Sequence, residues 1–522
     1  MRAMSCKRCR KNRRQRGNRA VHEPGQGGLH GLEYKFLMMG VSCFSHIRNY
    51  SVFGGVRHLA APAQPYFLKS MHGFEYWLST RVLIFVYRFL KRVSRLLRIM
   101  KVMSQIVRFE KIVPEGKALG HLQDGRTVFC VGPLPEETAR ISLRKQKRSY
   151  AEAALREILD PSVKRTATAE DHALVCSPWQ GVDYTYQSQL KATMITEAMQ
   201  QHHVTTPKLT FVGAKETLGY RNRLDFSVAR IEGRLQLAFH QRGSWDTLIP
   251  LPHGCALGSG AMNEAALDLL GQLERLHLDI CPAMITVRHA RTTNQLLTIL
   301  TTAAKAAWKT IDTTKLGNFV VARPLPGSGA PGDMTYHHGD SYITEQLGGV
   351  SIAYPYNGFF QANTPMFKQA LERIIAAAKD AKRIIELYSG VGAIGLPLAA
   401  AGHTVQGIEI IPAAVEFAER NVRTNAIKTY EAATVAAERM DATMLSQADT
   451  IILDPPRAGL HPRVIGWLLH AKPQRIIYLS CNPVTQARDL ALLADAYEIE
   501  ALTGLDFYPG ALHTESLAIL SQ

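Results

Sequence analysis

Cysteine is scarce in this chain: eight residues in 522, and only Cys6 and Cys9 are close neighbours. That spacing excludes a disulfide framework and fits a reducing, cytoplasmic compartment. Cys6-Lys-Arg-Cys9 has no second pair at zinc-finger spacing and is not read as a metal site. No apolar run approaches the roughly 18 residues of a membrane span. The best candidate, Val82 to Tyr87, ends at Arg88. No apolar segment follows the N-terminal basic run soon enough for a secretory signal. Acidic residues are almost missing from the first fifth: residues 1–102 carry 20 Lys and Arg against Glu23, Glu33 and Glu75. Residues 103–522 hold 41 basic and 41 acidic side chains, so their net charge is zero and does not by itself point to nucleic acid. With 46% hydrophobic and 20% charged residues the chain is neither fibrous nor wholly disordered. Its length suits three or four domains of about 100–200 residues.

The basic extension, residues 1–102, begins with a non-periodic basic run and passes through a Gly- and His-rich stretch. It ends in an amphipathic helical pattern over 81–101, where Leu83, Val86, Leu90, Val93, Leu97 and Met100 share one face. It reads either as an RNA-binding or membrane-surface arm or as an over-extended reading frame whose start is Met103. The abrupt charge change favours the second reading, and a chain beginning at Met103 is expected to be as active as the whole.

Residues 103–160 carry short strand patterns, Val107 to Val113, Thr127 to Val131 and Thr138 to Leu143, punctuated by Gly116, Gly120, Gly125, Pro133 and Pro135. They predict a small barrel of the OB type. Arg144, Lys145, Lys147 and Arg148 follow, either as a nucleic-acid contact or as a solvated strand end. Residues 161–335 predict an α+β central domain. It has helices over 188–201 and 261–276 and strands at 224–229, 235–239 and 296–300. Gly219-Tyr-Arg-Asn-Arg223 sets Arg221, Arg223 and an aromatic at a strand entrance, where they suit phosphates and a base or form a solvated edge. Pro324 to Gly332 predicts a loop and a domain boundary.

Residues 336–522 carry the chemistry. Asn363-Thr-Pro365 opens a helix. Arg383 to Tyr388 is a strand ending in Ser389-Gly-Val-Gly392, and a helix follows: a dinucleotide-type turn, in which Gly390 and Gly392 let the backbone approach a ligand. The next strand ends at Glu409, placed for a ribose diol. A strand over 450–453 ends in Asp454-Pro-Pro-Arg-Ala-Gly459, and one over 475–479 ends in Ser480-Cys-Asn-Pro483. A thiol at a strand's carboxyl end, on the same rim as the other motifs, suits a nucleophile.

Gly358-Phe-Phe-Gln-Ala-Asn363, Leu387-Tyr-Ser-Gly-Val-Gly392, Asp454-Pro-Pro-Arg-Ala-Gly459, Ser480-Cys-Asn-Pro483 and His513-Thr-Glu-Ser516 occur in that order. In this the chain resembles the RNA uracil-5-methyltransferases, over roughly residues 105–522. The resemblance implies an α/β fold: a Rossmann-like S-adenosylmethionine-dependent methyltransferase domain preceded by a TRAM-type barrel and a central domain. It implies a monomer acting on tRNA or 23S rRNA, with no membrane partner. It further implies Cys481 as nucleophile and Glu515 as proton acceptor, with Gln361, Tyr388, Glu409 and Asp454 as cofactor contacts. One family contact, often Asn, is Ala393 here. Many relatives carry an iron–sulfur cluster on four cysteines before a W-Q…D-Y…Q…K stretch. This chain keeps Trp179-Gln180, Asp183-Tyr184, Gln189 and Lys191, but only Cys176 precedes them, so no cluster and no metal are expected.

Uracil C5 is a poor nucleophile. A thiolate added at C6 makes it enolate-like, able to take a methyl group from a sulfonium, after which a base removes the C5 proton. The uracil must first be unstacked, a task to which Phe359 and Phe360 are suited unless they are core. N-methylation of an exocyclic amine, which needs no cysteine, and a catalytically inactive RNA-binding protein are the alternatives.

Overall fold

The computed structural model describes residues 104–522 apart from Trp245 and Asp441. The basic extension, its amphipathic segment, Cys6 and Cys9 lie outside the described residues.

Five strands, β1 (Ser104–Ile112), β2 (Ala118–His121), β3 (Thr127–Val131), β4 (Thr138–Gln146) and β5 (Tyr150–Asp160), close a barrel in the order β1-β2-β3-β5-β4. Alternation puts Val107, Phe109, Val128, Cys130, Ala139 and Ile141 inside. At Gly116 the backbone is left-handed, and an added Cβ would lie 2.5 Å from Leu512 Cβ, so only glycine fits there without displacing the C-terminal loop.

Beyond the barrel come α1 (Ala173–Cys176), α2 (Tyr184–Gln201), β6 (Thr210–Val212), β7 (Arg223–Ile231), β8 (Arg234–His240) and β9 (Leu248–Pro250). The middle region continues with α3 (Gly260–Arg275), β10 (Met284–Ala290), β11 (Gln295–Thr301), β12 (Asn318–Pro324) and β13 (Pro331–His338). Seven of its strands form a sheet in the order β13-β12-β11-β10-β7-β8-β9. The apolar stripe of α3, Met262, Ala265, Leu269 and Leu273, packs in one cluster with Phe226, Leu237, Ile285 and Leu300 of that sheet. The Pro324–Gly332 stretch is a loop, as its composition requires, but not a boundary: β12 and β13 pair across it as a hairpin.

A hairpin, β14 (Tyr342–Leu347) and β15 (Val350–Pro355), leads into α4 (Thr364–Ala377), capped by the Asn363 side chain accepting from Met366 N at 3.1 Å. Then follow β16 (Arg383–Leu387), α5 (Gly395–Ala400), β17 (Thr404–Glu409), α6 (Pro412–Thr424), β18 (Tyr430–Thr434), α7 (Ala442–Leu445) and β19 (Thr450–Leu453). The chain ends with α8 (Pro462–Ala471), β20 (Arg475–Ser480), α9 (Pro483–Leu493), β21 (Glu498–Leu505) and β22 (Glu515–Ser521). The eight-stranded sheet runs β18-β17-β16-β19-β20-β22-β21-β6. Its five leading strands are parallel, and β22 is antiparallel to β20. Strands β19 and β20 read as largely apolar runs because helices cover both faces, and β16 differs only in the buried Glu386. One face packs on α4, α5 and α6, the other on α7, α8, α9 and the second half of α2. The eighth strand, β6, comes from the middle region and pairs parallel with β21 through Thr210 to Val212.

Among the described residues no helix is long and apolar enough to cross a membrane.

Candidate active site

Strand register alone assembles the site. Leu387 pairs with Ile408 and with Leu453, so Tyr388, Glu409 and Asp454 each lie one step beyond a paired row. Ser480 pairs with Ser516 in the antiparallel β20–β22 ladder, so Cys481 and Glu515 are the next residues outward on either strand. All lie along the carboxyl edge of the parallel strands, where open α/β sheets bind ligands.

The glycine turn is built for close approach. Gly390 has φ +54° and an added Cβ there would meet open space, whereas at Gly392 it would lie 2.7 Å from Leu396. Glu409 accepts from the backbone N–H of Gly390 (2.9 Å), Ile410 (2.8 Å) and Ile411 (2.9 Å). Of the roughly four acceptor positions on a carboxylate this leaves one for a diol. Tyr388 holds a left-handed backbone, φ 65°, while its ring packs against the α8-side cluster. Ala393 packs against the opposite cluster and offers no side-chain hydrogen bond. Gln361, itself buried, donates from Nε2 to Asp454 Oδ2 at 3.0 Å. The Gln361 carbonyl accepts from Asn222 Nδ2 at 2.7 Å, which ties the middle region to this loop.

The proline-rich loop is clamped to the cysteine turn. Asn482 Nδ2 and Thr485 Oγ1 donate to the Arg457 carbonyl at 2.9 and 3.1 Å. Buried Asp489 accepts from Leu460 N and from the Tyr478 hydroxyl, both at 2.8 Å. Arg457 reaches His513 Nδ1 at 2.6 Å.

The chamber is acidic. Burial pushes the Cys481 thiol up to about 11, with Glu515 and Asp454 adding to the shift and Arg457 opposing it. Burial raises Asp454 to about 7, against the pull of Gln361. Burial and Asp454 hold Glu515 well above the usual carboxylate range. Burial, Asp454 and Glu409 do the same to Glu386 beneath the glycine loop. Burial and Arg457 press His513 down to about 4, so its ring is neutral at pH 7. Glu515 is therefore not the freely ionised carboxylate that an exposed strand end provides. A pocket whose Asp454 and Glu515 carboxyls and Cys481 thiol are all shifted upward by burial, and in part by one another, is one that a cationic ligand stabilises.

A model of the family described as tRNA (uracil-5-)-methyltransferase matches residues 338–522. An uncharacterized RNA methyltransferase of Thermosynechococcus vestitus is 30% identical over 440 residues, covering 80% of this chain and 97% of the relative. The chain belongs to this methyltransferase family. A second uncharacterized RNA methyltransferase, from Synechocystis sp., is 28% identical over 433 residues, 78% of this chain and 93% of its own. Among solved structures, Pyrococcus abyssi tRNA (uracil-54, C5)-methyltransferase in complex with S-adenosyl-L-homocysteine superimposes with a TM-score of 0.64. It is 23% identical, over 79% of this chain and all of that one, a likeness of fold. The enzyme is thus an S-adenosylmethionine-dependent RNA methyltransferase.

The methyltransferase's W-Q…D-Y…Q…K stretch braces the loop that leads into β22. Lys191 and Asp506 form a fully buried ion pair at 2.6 Å, and the Tyr184 hydroxyl donates to Asp506 at 3.0 Å. Lys191 Nζ also reaches the Tyr508 carbonyl at 2.8 Å. Trp179 N donates to the Gly510 carbonyl at 2.7 Å. The glutamine that joins them is Gln187, which accepts from Gly510 N at 2.9 Å; Gln189 is exposed. These contacts fix residues 506–514, which lead directly into Glu515.

Several sequence expectations for RNA contacts find their side chains otherwise engaged. Tyr220 is fully buried and donates to the Pro509 carbonyl at 3.1 Å, so it is not a base platform. Arg223 is held by the Asp225 carboxylate at 3.0 and 2.9 Å. Arg221 lies half-buried, its guanidinium 5.9 Å from the Tyr508 ring centre. Phe360 stacks on Tyr354 at 4.1 Å in the core, while Phe359 is 73% exposed beside Gln361. The basic run at the β4–β5 turn is exposed from Arg144 to Arg148. Replacing Lys147 and Arg148 together by Ala is expected to weaken RNA binding and to lower the salt slope by about 1 per side chain. Affinity for the methyl donor should not change, and an unchanged slope in a filter-binding titration would remove this tip from the RNA path.

The four-cysteine cluster of many relatives does not fit this chain. Among the described residues the structure brings together Glu170, His172, Cys176 and Cys255, and only two of these are thiols. Nothing in the sequence connects Cys255 with Cys176, because the two segments lie far apart along the chain.

Proposed function

We propose that the enzyme methylates C5 of a uridine in structured RNA, tRNA or rRNA, through a covalent bond from Cys481 to C6. The observation that carries this reading is the placing of Cys481 and Glu515 side by side across the β20–β22 ladder, at the rim that also holds Gln361 and Asp454. An enzyme acting on an exocyclic amine has no task for that pair. The Cys481 thiolate adds to C6 and the ring electrons move onto O4. C5 then attacks the methyl carbon of the donor sulfonium, and the sulfur leaves as a neutral thioether. Glu515 takes the C5 proton, the C6–S bond breaks, and the thiolate leaves. Gln361, Tyr388, Glu409 and Asp454 are the proposed donor contacts. Phe359 is the proposed stacking face for the unstacked uridine.

The raised carboxyl of Glu515 suits this order. A cation beside it favours its ionised form, and loss of that cation on methyl transfer leaves a carboxylate that readily takes a proton. The same charge should release the thiol. Alkylation of Cys481, followed on its own peptide by mass spectrometry, should rise with pH toward about 11 in the free enzyme. A donor analogue with a positive charge at the sulfur position should move that profile to lower pH, and S-adenosylhomocysteine, which has none, should not. Arg457→Met should move it to higher pH. Equal effects of the charged and neutral analogues would refute this coupling.

The function itself is tested by digesting RNA labelled from the methyl donor and identifying the nucleoside. 5-Methyluridine is expected. An N-methylated base, or no label in any tRNA or rRNA tested, would overturn the proposal.

A further inference from the structure

We propose that Glu170, His172, Cys176 and Cys255 bind one Zn²⁺ ion, which ties the segment after the barrel to the middle region. Their donor atoms all lie within 4.8 Å of one another. Zinc ligands stand about 2.0–2.3 Å from the ion and therefore roughly 3–4 Å apart, so a small contraction closes the site. Two thiols and an imidazole are a set that selects zinc over magnesium or calcium, and the carboxylate completes a tetrahedron.

The four groups converge on one another. Cys176 and Cys255 both turn their sulfurs to Glu170 Oε1, at 3.1 and 3.6 Å. His172 Nε2 is shut away from solvent without a hydrogen bond, although it lies 3.1 Å from Glu170 Oε2 on a side chain only 10% exposed. Around them the support is complete. Ala256 N and Gln180 Nε2 orient the Glu170 carboxylate at 2.7 and 3.2 Å. Asn263 grips Cys255 through both its N–H (2.8 Å) and its carbonyl (3.0 Å). Such outer contacts are typical of built metal sites.

Charge is balanced as well. Zinc with two thiolates and a carboxylate carries one excess negative charge. Both cysteines line a cavity of about 340 Å³ shared with Arg221 and Arg242. Arg221 Nε is buried there without a partner. The placement is structural rather than catalytic. From Glu170 the contacts run through Gln180 to Trp179, and Trp179 N holds the Gly510 carbonyl in the loop before Glu515.

The test uses the full chain purified under reducing conditions and dialysed against a weak chelator. Elemental analysis should find about one zinc per chain and no iron. After stripping, Co²⁺ should give a thiolate charge-transfer band and the intense visible bands of a tetrahedral site. Cys176→Ser, Cys255→Ser and His172→Ala should each lower metal affinity at least about tenfold. Because the content and the cobalt spectrum are read on the unaltered chain, a variant that misfolds does not decide the matter. The proposal is overturned by a wild-type chain that keeps no zinc and gives no tetrahedral cobalt spectrum. Iron with acid-labile sulfide, or a Cys176–Cys255 disulfide in the reduced preparation, overturns it equally.

Discussion

Cys481→Ala should abolish product and adduct together, while Glu515→Gln should stop the reaction one step from its end. The thiol is the only group in the proposed chemistry that makes the ring nucleophilic, so without it C5 does not react at a measurable rate. The variant should still bind donor and RNA, because Cys481 forms no hydrogen bond on which the donor contacts depend. In Glu515→Gln the thiolate adds and the methyl group transfers, but an amide does not accept the C5 proton. The methylated ring stays on Cys481. A denaturing gel should show protein shifted by covalent RNA and carrying label from the donor. RNA with 5-fluorouracil should give the same shift in the unaltered enzyme, because fluorine at C5 is not lost as a proton. Normal turnover by Glu515→Gln would remove that residue from the mechanism, and an adduct formed by Cys481→Ala would remove the thiol.

Lys191→Met should be the most damaging change away from the site. It leaves Asp506 as a buried carboxylate with only the Tyr184 hydroxyl and Tyr508 N–H as donors. Breaking a buried pair in this way costs about 3–5 kcal/mol. Denaturant unfolding should report that loss. Turnover should fall with it, because Lys191 also holds the Tyr508 carbonyl in the loop before Glu515. Asp506→Asn on the Lys191→Met background removes the stranded charge while keeping an acceptor for Tyr184. The double variant should therefore be less damaged than the sum of the singles, by about 1–3 kcal/mol. Singles that simply add would mean that the two side chains are not coupled.

The rim of the site was legible in the sequence because each of its parts ends a strand, and strand ends are marked by abrupt changes from apolar runs to Gly, Pro or acid. Asp454-Pro-Pro and Ser480-Cys-Asn-Pro483 are of that kind, and both sit where the pattern puts them. What was not legible depends on distance along the chain or on burial. β6 is three residues long and half-exposed, too short for any period to reveal. Cys255 meets Glu170 across 85 residues. Arg223 reads as a free cation in the sequence, whereas in the fold Asp225, two residues on, chelates it. The titration of Glu515 follows from a buried position that its neighbours in sequence do not announce. In the W-Q…D-Y…Q…K stretch the motif held, but helix phase makes Gln187, not Gln189, the residue facing the loop.

The stitching of residues 179–212 into the far end of the chain sets the order in which the protein can be made. Tyr184 meets Asp506 across 322 residues and Gly510 meets Gln187 across 323. On the ribosome the barrel has its own strands early, and the seven-stranded sheet is whole once β13 has emerged. Strand β6, by contrast, has no strand partner until β21 emerges, although the neighbouring α2 already packs on the barrel through Leu190 and Met194. Until then the backbone groups of β6 wait unpaired. Chains with contacts this distant fold slowly and are open to aggregation in the interval. Completion of the eight-stranded sheet thus waits for β21 and β22, and a nascent chain stalled before β21 should carry a folded barrel and an incomplete sheet.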